Sequence, residues 1–371
     1  MLKTVVYQLA QPLEESLIKK VIYMIQNHTE AKKVDIEPVE RKELFVGVLK
    51  SDNEKSIFED IEKIIEKARG EMQSGQSPEL KPLKFIRQPT RNFTDISPEL
   101  IEKGWVVLLR NGETGYSQKL IRLIKYMDES LIKLYSQVNI DHWREYQSLI
   151  PFSYLEQMGY LEHMPDTMFS LNAEHLQGNE NMALQTAPCF KIYFELESQQ
   201  INENRIYTVV GPCYRNEPGR AYLFETLTCF RMREFVFVGT EEHVRNGKEK
   251  SLELSLAWLK QLGMEGGTYL ADDPFFITSA SRENAEIPEQ VKFEVRCPIP
   301  GRGKDISIGS FDVHGNFFSQ SFSIKSGFGS EVWTGCMGYG LERCLWAFLQ
   351  QHGLTVGNWP KEVQNAIKGY E

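Results

Sequence analysis

The stretch of sequence that decides the fold is GYGLERCLWAFL, residues 338–349. Glycines spaced by single residues are followed by Glu-Arg and then by an apolar run. This pattern predicts an extended segment that opens into a buried helix, with Arg343 in the first turn at the edge of a cleft. A guanidinium is always charged and offers a planar fork of donors that fits phosphate oxygens. Phosphate is therefore a chemically suitable partner for Arg343.

A second arginine segment lies roughly 130 residues earlier, a separation that the folding of one domain commonly closes. It reads CYRNE at 213–217 and, after a polar turn, FRMREF at 230–235. Together, Arg215 and Arg343 could hold a bent triphosphate. An isolated Arg-x-Glu is more often a surface ion pair of minor energetic weight. The prediction of an ATP site therefore depends on both segments occurring in one chain.

The composition indicates a globular protein with a real core. The chain has 371 residues, 41% of them hydrophobic. It has no apolar run of the roughly 18 residues that a membrane helix needs. Six cysteines are scattered without a disulfide-like framework or a Cys-x-x-Cys pair, which is typical of reduced thiols. We therefore expect a cytoplasmic protein with no membrane partner.

The charge balance bears on possible nucleic-acid partners. Lys and Arg number 42 against 51 Asp and Glu, which gives a formal net charge of −9. A tRNA is held mainly through phosphate contacts from many basic side chains. The balance therefore disfavours tRNA as a partner.

Hydrophobic alternation and periodicity divide the chain into two parts. Residues 1–82 contain a strand, a helix, two strands and a helix, which predicts a small βαββα domain of unknown role. Residues 83–371 would form a larger domain with helices near 116–138 and 241–262 and several β-rich runs, among them 318–324. This order of elements predicts an α+β fold, an antiparallel sheet flanked by helices.

These features resemble the class II aminoacyl-tRNA synthetases. The stretch around Arg215 resembles motif 2 of that class, and the stretch ending at Arg343 resembles motif 3. The resemblance implies a catalytic ATP site in which Arg215 binds the α-phosphate and Arg343 the γ-phosphate. Glu217 would accept a hydrogen bond from the adenine amino group. Phe230 would stack on the adenine ring, although it could equally belong to the core.

A narrower resemblance implies zinc. Cys189, Glu234 and Cys336 stand where the zinc-dependent seryl-tRNA synthetases of methanogens, and the related amino acid:carrier protein ligases, have a Cys, Glu, Cys site. Two thiolates and one carboxylate leave a fourth coordination position open, as in catalytic zinc sites. In the family, that position takes the α-amino group of the amino acid. Without the resemblance, both cysteines would be interpreted as small buried residues, as free Cys commonly is.

Further segments resemble the carrier protein ligases. They are DPFF at 273–276, KFEVRCPI at 292–299, SFDVH at 310–314 and TGC at 334–336. By this resemblance Glu294 and Ser310 would line the amino acid site. Trp333 could narrow that site, although its side chain could point into the core instead. Asp305 would help to hold Mg²⁺, although a solvated turn is equally plausible there because glycines flank it.

The resemblance to the carrier protein ligases implies two half-reactions. ATP first converts a small amino acid into an aminoacyl-adenylate, and the phosphopantetheine thiol of a carrier protein then accepts the aminoacyl group. The segment 146–151 resembles motif 1, which usually forms a dimer interface, so a homodimer is expected. Two alternatives stay open, a zinc-dependent, seryl-type synthetase that charges tRNA and a catalytically silent synthetase-like binding protein.

Overall fold

The computed structural model describes most of the chain. The described residues are 2–13, 21, 25, 33–36, 42–49, 54–73, 81–88, 92–110, 113–163, 168–172, 180–216, 223–271 and 292–369. They fall into two compact units, one ending at Lys81 and one beginning at Pro82. Each unit has a hydrophobic core of its own. The role of the smaller part stays open.

In the smaller unit, three strands and one helix are described. They are β1 Leu2–Gln8, β2 Lys33–Ile36, β3 Glu43–Leu49 and α1 Glu54–Gln73. The strands pair antiparallel in the order β1-β3-β2. Ile57, Ile61 and Ile64 recur at helical spacing, so one face of α1 is buried in the core of this unit. The helix predicted between the first two strands lies largely outside the described residues.

The larger unit contains the remaining described elements. Its strands are β4 Pro82–Ile86, β5 Val106–Leu108, β6 Thr114–Tyr116, β7 His142–Arg144, β8 Leu149–Pro151, β9 Ser170–Leu171, β10 Met182–Leu184, β11 Gln200–Ile201, β12 Arg205–Tyr214, β13 Cys229–Gly239, β14 Gly266–Leu270, β15 Lys292–Ile299, β16 Lys304–Gly315, β17 Lys325–Ser326 and β18 Trp333–Gly340. Its helices are α2 Ser97–Glu102, α3 Gln118–Tyr135, α4 Phe152–Gln157, α5 Tyr160–His163, α6 Phe190–Glu195, α7 Glu241–Gln261, α8 Phe317–Ser321, α9 Leu341–His352 and α10 Lys361–Ala366. No helix in the described ranges is long and apolar enough to cross a membrane.

Among the described residues, eight strands form one sheet in the order β4-β14-β15-β16-β18-β13-β12-β7. Neighbouring strands are antiparallel except at one edge, where β7 runs parallel to β12. Helices α3, α7 and α9 pack against this sheet. The predicted α+β fold, an antiparallel sheet flanked by helices, is confirmed.

Residue alternation gives the large sheet two distinct faces. Phe235, Met337 and Tyr339 point to the side that α3 and α7 cover and are fully buried there. The Tyr339 hydroxyl lies 3.1 Å from the Tyr135 hydroxyl on α3 and 2.6 Å from that of Ser255 on α7. Because successive side chains on a strand point to opposite faces, the intervening residues point to the other side of the sheet. Most of the predicted site residues lie on that side.

The prediction of a β-rich run at 318–324 is wrong, because helix α8 covers most of that segment. The ring of Phe318 stacks on that of Tyr193, with centroids 4.0 Å apart. The chain leaves the helix through Ser323, whose φ is +51°. An apolar run this short shows neither a helical nor a strand periodicity. The sequence pattern therefore did not distinguish a strand from one turn of helix.

Candidate active site

Three elements bring Cys189, Glu234 and Cys336 together. Glu234 lies on β13 opposite Gly338 of β18, and Cys336 lies on β18 opposite Val236. This register places Glu234 and Cys336 on the same face of the sheet, two residues apart along the strands. Cys189 directly precedes α6. One ligand atom from each of the three side chains lies within 4.8 Å of the other two.

The surroundings of this triad fit a bound cation. The residues are 1%, 2% and 4% exposed, in chain order. The backbone N–H of Cys189 donates to Glu234 Oε2 at 2.6 Å. Within the described ranges no lysine or arginine lies at ion-pair distance from Glu234. A buried carboxylate is costly unless it is paired or binds a metal, and two thiolates beside it favour zinc over Mg²⁺ or Ca²⁺.

Burial also controls protonation at the triad. It raises the pKa of Glu234 to about 7 and that of Cys189 well above its ordinary value. A hydrogen bond with Cys189 lowers the pKa of Cys336, but burial and the nearby Glu234 raise it to about 11. Without a cation, therefore, the thiols keep their protons at neutral pH. Binding a metal there must displace protons.

His314 and Asp312 on β16 adjoin the triad. His314 Nε2 lies 3.8 Å from Cys336 Sγ, and its Nδ1 lies 3.2 Å from Thr334 Oγ1. Complete burial lowers the pKa of His314 to about 3, so the imidazole is neutral. Asp312 lies opposite Cys336 and accepts a hydrogen bond from Ser310 Oγ at 3.0 Å. Sequence reasoning assigned no role to Asp312, although it belongs to the segment SFDVH.

The two predicted ATP residues of the motif 2 region are in contact. The guanidinium carbon of Arg215 lies 5.3 Å from the centre of the Phe230 ring. Arg215 Nε donates to the backbone oxygen of Thr186 at 3.0 Å. Phe230 and Glu234 are four residues apart on β13, so both side chains lie on the same face of the sheet. Glu217 lies outside the described residues.

The predicted γ-phosphate residue stands at the start of α9. Arg343 Nε donates to the backbone oxygen of Glu225 at 3.0 Å. One small cleft is lined by Phe224, Leu227, Phe230, Gly340, Glu342 and Arg343. Phe230 thus contacts Arg215 and borders the same cleft as Arg343. Of the five predicted ATP residues, Arg215, Phe230 and Arg343 therefore lie close together.

Glu342 joins the strand to the helix at this cleft. Its carboxylate accepts hydrogen bonds from the backbone N–H and from Nε of Arg231, each at 2.8 Å. A neighbouring groove is lined by Cys229, Arg231, Glu342 and Tyr116, among others. Cys229 is the one exposed thiol, since the other five cysteines are buried.

Two predicted substrate residues lie in one row across the sheet with the triad. Glu294 of β15 is opposite Ser310 of β16, Ser310 is opposite Gly338, and Gly338 is opposite Glu234. These residues therefore share the face that carries the triad. Arg296 Nη1 contacts the Glu294 carboxylate at 2.5 Å. Glu294 and Ser310 thus form a polar surface beside the triad, which we call the polar floor.

The structure does not bring Trp333 and Asp305 into this site. Trp333 is three residues before Cys336 on the same strand, so it points to the opposite face. It packs in the helix-covered core, with the guanidinium carbon of Arg245 5.2 Å from its ring. Asp305 is exposed near the turn between β15 and β16. Among the described residues, the one potential metal cluster of His, Cys, Asp or Glu is the triad, so Asp305 belongs to none.

Solved structures with the same fold share this architecture. M. kandleri SerRS in complex with A. aeolicus tRNASec superposes with a TM-score of 0.71, covering 99% of this chain and 77% of that one at 20% identity. Seryl-tRNA synthetase from Pyrococcus horikoshii, complexed with ATP, gives a TM-score of 0.60 over 84% of this chain and 80% of that one at 11% identity. The chain has the fold of the class II aminoacyl-tRNA synthetase superfamily.

Two sequence relatives of this chain carry the same name. The type-2 serine--tRNA ligase of Methanothermobacter thermautotrophicus is 26% identical over 369 residues, covering 88% of this chain and 71% of the relative. That of Methanocaldococcus jannaschii is 25% identical over 324 residues, covering 78% and 61%. The chain thus spans between 61 and 71% of the length of these two relatives. No protein-family model matches it.

These comparisons overturn two predictions. The relatives are named tRNA ligases and the M. kandleri protein is in a complex with tRNA, which contradicts both the loading of a carrier protein and the exclusion of tRNA. The carrier protein prediction came from the resemblance of short segments, and the prediction against tRNA came from net charge. A formal charge of −9 describes the whole chain, whereas phosphate contacts depend on local basic surface.

Proposed function

We propose that the class II chain is an ATP-dependent ligase that activates serine as seryl-adenylate and transfers the seryl group to tRNA. One observation carries the proposal: the Cys189, Glu234 and Cys336 triad shares a sheet face with Arg215. Two sequence relatives of the chain are named serine--tRNA ligases, a name that gives serine as the amino acid and tRNA as the acceptor. We infer serine and tRNA from those names, and the chemistry of activation from the residues.

The triad is proposed to hold Zn²⁺. Two soft thiolates and one carboxylate supply three ligands, and the fourth position stays open for a substrate. When bound there, zinc would take the free α-amino group of the amino acid as its fourth ligand. The side chains themselves orient the ion: Glu234 is fixed by the N–H of Cys189, and Cys336 lies against the neutral His314. This arrangement would select a free amine.

The arginines are proposed to hold ATP. Arg215 lies over Phe230, and Phe230 also borders the cleft that contains Arg343, so phosphates there would meet two permanent positive charges. The amino acid carboxylate then attacks the α-phosphorus in line, and pyrophosphate leaves. Arg215, together with Mg²⁺, would stabilise the developing charge. Phe230 offers a flat apolar surface for adenine.

The polar floor is proposed to contact the amino acid. Glu294 and Ser310 lie in the row that ends at Glu234. The contacts with Arg296 and Lys292 compensate the Glu294 charge, and its carboxylate oxygens can still accept a hydrogen bond from the substrate. A hydroxyl side chain on the substrate would match these acceptors.

The test is amino-acid-dependent pyrophosphate exchange over a panel of the common amino acids, followed by charging of a tRNASer transcript. We expect exchange with serine and formation of seryl-tRNA. Exchange with another amino acid alone would contradict the substrate, and exchange with serine without charging would contradict the acceptor. Absence of exchange with every amino acid would favour the catalytically silent binding protein.

A further inference from the structure

Glu225 is a buried acid in a basic environment beside the ATP cleft. It ends the turn that precedes β13 and is 7% exposed. Its Oε1 lies 2.9 Å from Arg302 Nε and accepts a hydrogen bond from Trp346 Nε1 at 3.2 Å. Its Oε2 contacts the ammonium group of Lys304. Two cations and one hydrogen-bond donor surround this carboxylate and anchor it.

The backbone of the same residue meets a proposed ATP ligand. The carbonyl oxygen of Glu225 accepts the hydrogen bond from Arg343 Nε at 3.0 Å. The preceding residue, Phe224, packs its ring on that of Trp346, with centroids 5.6 Å apart, and stacks on Tyr116 at 5.3 Å. The Glu225 carboxylate and the Phe224 ring thus fix this turn, and the Glu225 carbonyl oxygen binds Arg343.

We propose that Glu225 is a positioning residue for ATP, because its carboxylate fixes the turn whose carbonyl oxygen orients the Arg343 guanidinium. The inference rests on the proposed adenylate-forming function and adds a residue to it. An arginine held at Nε has its guanidinium plane set before phosphate arrives. Less side-chain entropy is then lost when ATP binds.

The experiment measures the affinity of the full chain for ATP by calorimetry in Glu225→Gln. Glutamine keeps the size and one acceptor for Trp346 but removes the charge that Arg302 and Lys304 contact. We expect the Kd for ATP to rise about tenfold, the usual cost of one charge-assisted contact. In an Arg343→Ala background the same substitution should change the Kd by less than about twofold, because there is no guanidinium left to orient.

A matched control and a second variant separate this role from a general effect on folding. Asp95 contacts Arg302 from the other side, through Oδ2 at 3.1 Å. Asp95→Asn therefore breaks a similar ion pair and should leave the Kd for ATP unchanged. Lys304→Gln removes the ammonium group that contacts the Glu225 carboxylate. The Lys304 side chain is 46% exposed, so the protein should still fold. It should raise the Kd by a smaller factor, and only when Arg343 is present.

The outcomes divide clearly. An unchanged Kd in Glu225→Gln, or an equal change with and without Arg343, would overturn the inference even if serine-dependent exchange is found. A Kd that depends on Glu225 only when Arg343 is present would support the inference even if no amino acid supports exchange. In that case the proposed function alone fails.

Discussion

At the scale of single residues, the site separates two kinds of charge. The triad is buried, and burial raises the pKa of both its thiols, so without a cation they keep their protons at neutral pH. The arginines are permanently charged; Arg343 borders a cleft, and Arg215 lies over Phe230, which borders the same cleft. Different substitutions should therefore remove different functions, one the metal and the other the nucleotide.

Replacing Arg343 by Ala should reduce serine-dependent pyrophosphate exchange by at least about a hundredfold. The substitution removes a charged group that donates hydrogen bonds to the phosphate oxygens in the transition state. Arg343→Lys should recover only part of the loss, since an ammonium group lacks the planar fork. The melting temperature should stay close to that of the wild type. Near-normal exchange in Arg343→Ala would contradict an ATP role for this residue.

Replacing Cys336 by Ser should remove the bound metal, because a hydroxyl is a poor ligand for zinc beside a thiolate. Elemental analysis of the wild type should find about one zinc per chain. Cys297→Ser is the matched control, since Cys297 is equally buried but belongs to the helix-covered core. Equal zinc content in the two variants would argue against the triad.

At the scale of elements, strand register assembles the site. The row from Glu294 to Glu234 crosses four strands, and it includes Gly338 between two side chains of the site. A Cβ at Gly338 would stand 3.2 Å from Glu234 Oε1 and 2.7 Å from Met232 Cε. The first glycine of the GYGLER stretch therefore leaves room for the proposed metal ligand.

Gly338→Ala should lower zinc content or zinc affinity by displacing the Glu234 carboxylate. Gly340→Ala provides the control on the same strand and face, because its Cβ would meet Arg343 only at ordinary contact distances from 3.8 Å. Elemental analysis and zinc titration of both variants distinguish them. The idea fails if the two alanines affect zinc equally.

Element-level rules also explain what the sequence could predict. The strand and helix around Arg343 followed from the change of pattern in GYGLERCLWAFL, and the fold class followed from the order of elements. The separation of Trp333 from Cys336 could have been predicted, because residues three apart on a strand point to opposite faces. The triad is different: its members come from three segments, and nothing local in the sequence sets the distance between them. It was found through a family resemblance.

At the scale of the whole molecule, composition was a poor guide to partners. A net charge of −9 suggested that tRNA is not a partner, and the relatives contradict this. The expected homodimer stays a prediction. The division into two units with separate cores has a direct physical consequence, since each core can unfold on its own.

Scanning calorimetry should therefore show two unfolding transitions. Removing metal with a chelator should lower the temperature of one of them, because the triad belongs to the unit that begins at Pro82. The transition of the unit that ends at Lys81 should not move. A single transition that shifts as a whole would show that the two cores unfold together.

The exposed thiol of Cys229 makes the protein suitable for site-specific labelling. Burial and the nearby Glu342 raise its pKa, so a maleimide dye would couple slowly at neutral pH and faster in mildly alkaline buffer. The five other cysteines are buried, so one fluorophore per chain is expected. That fluorophore would lie next to Phe230, at the border of the proposed nucleotide cleft. The native sequence thus supplies an optical reporter for testing nucleotide binding without any engineered cysteine.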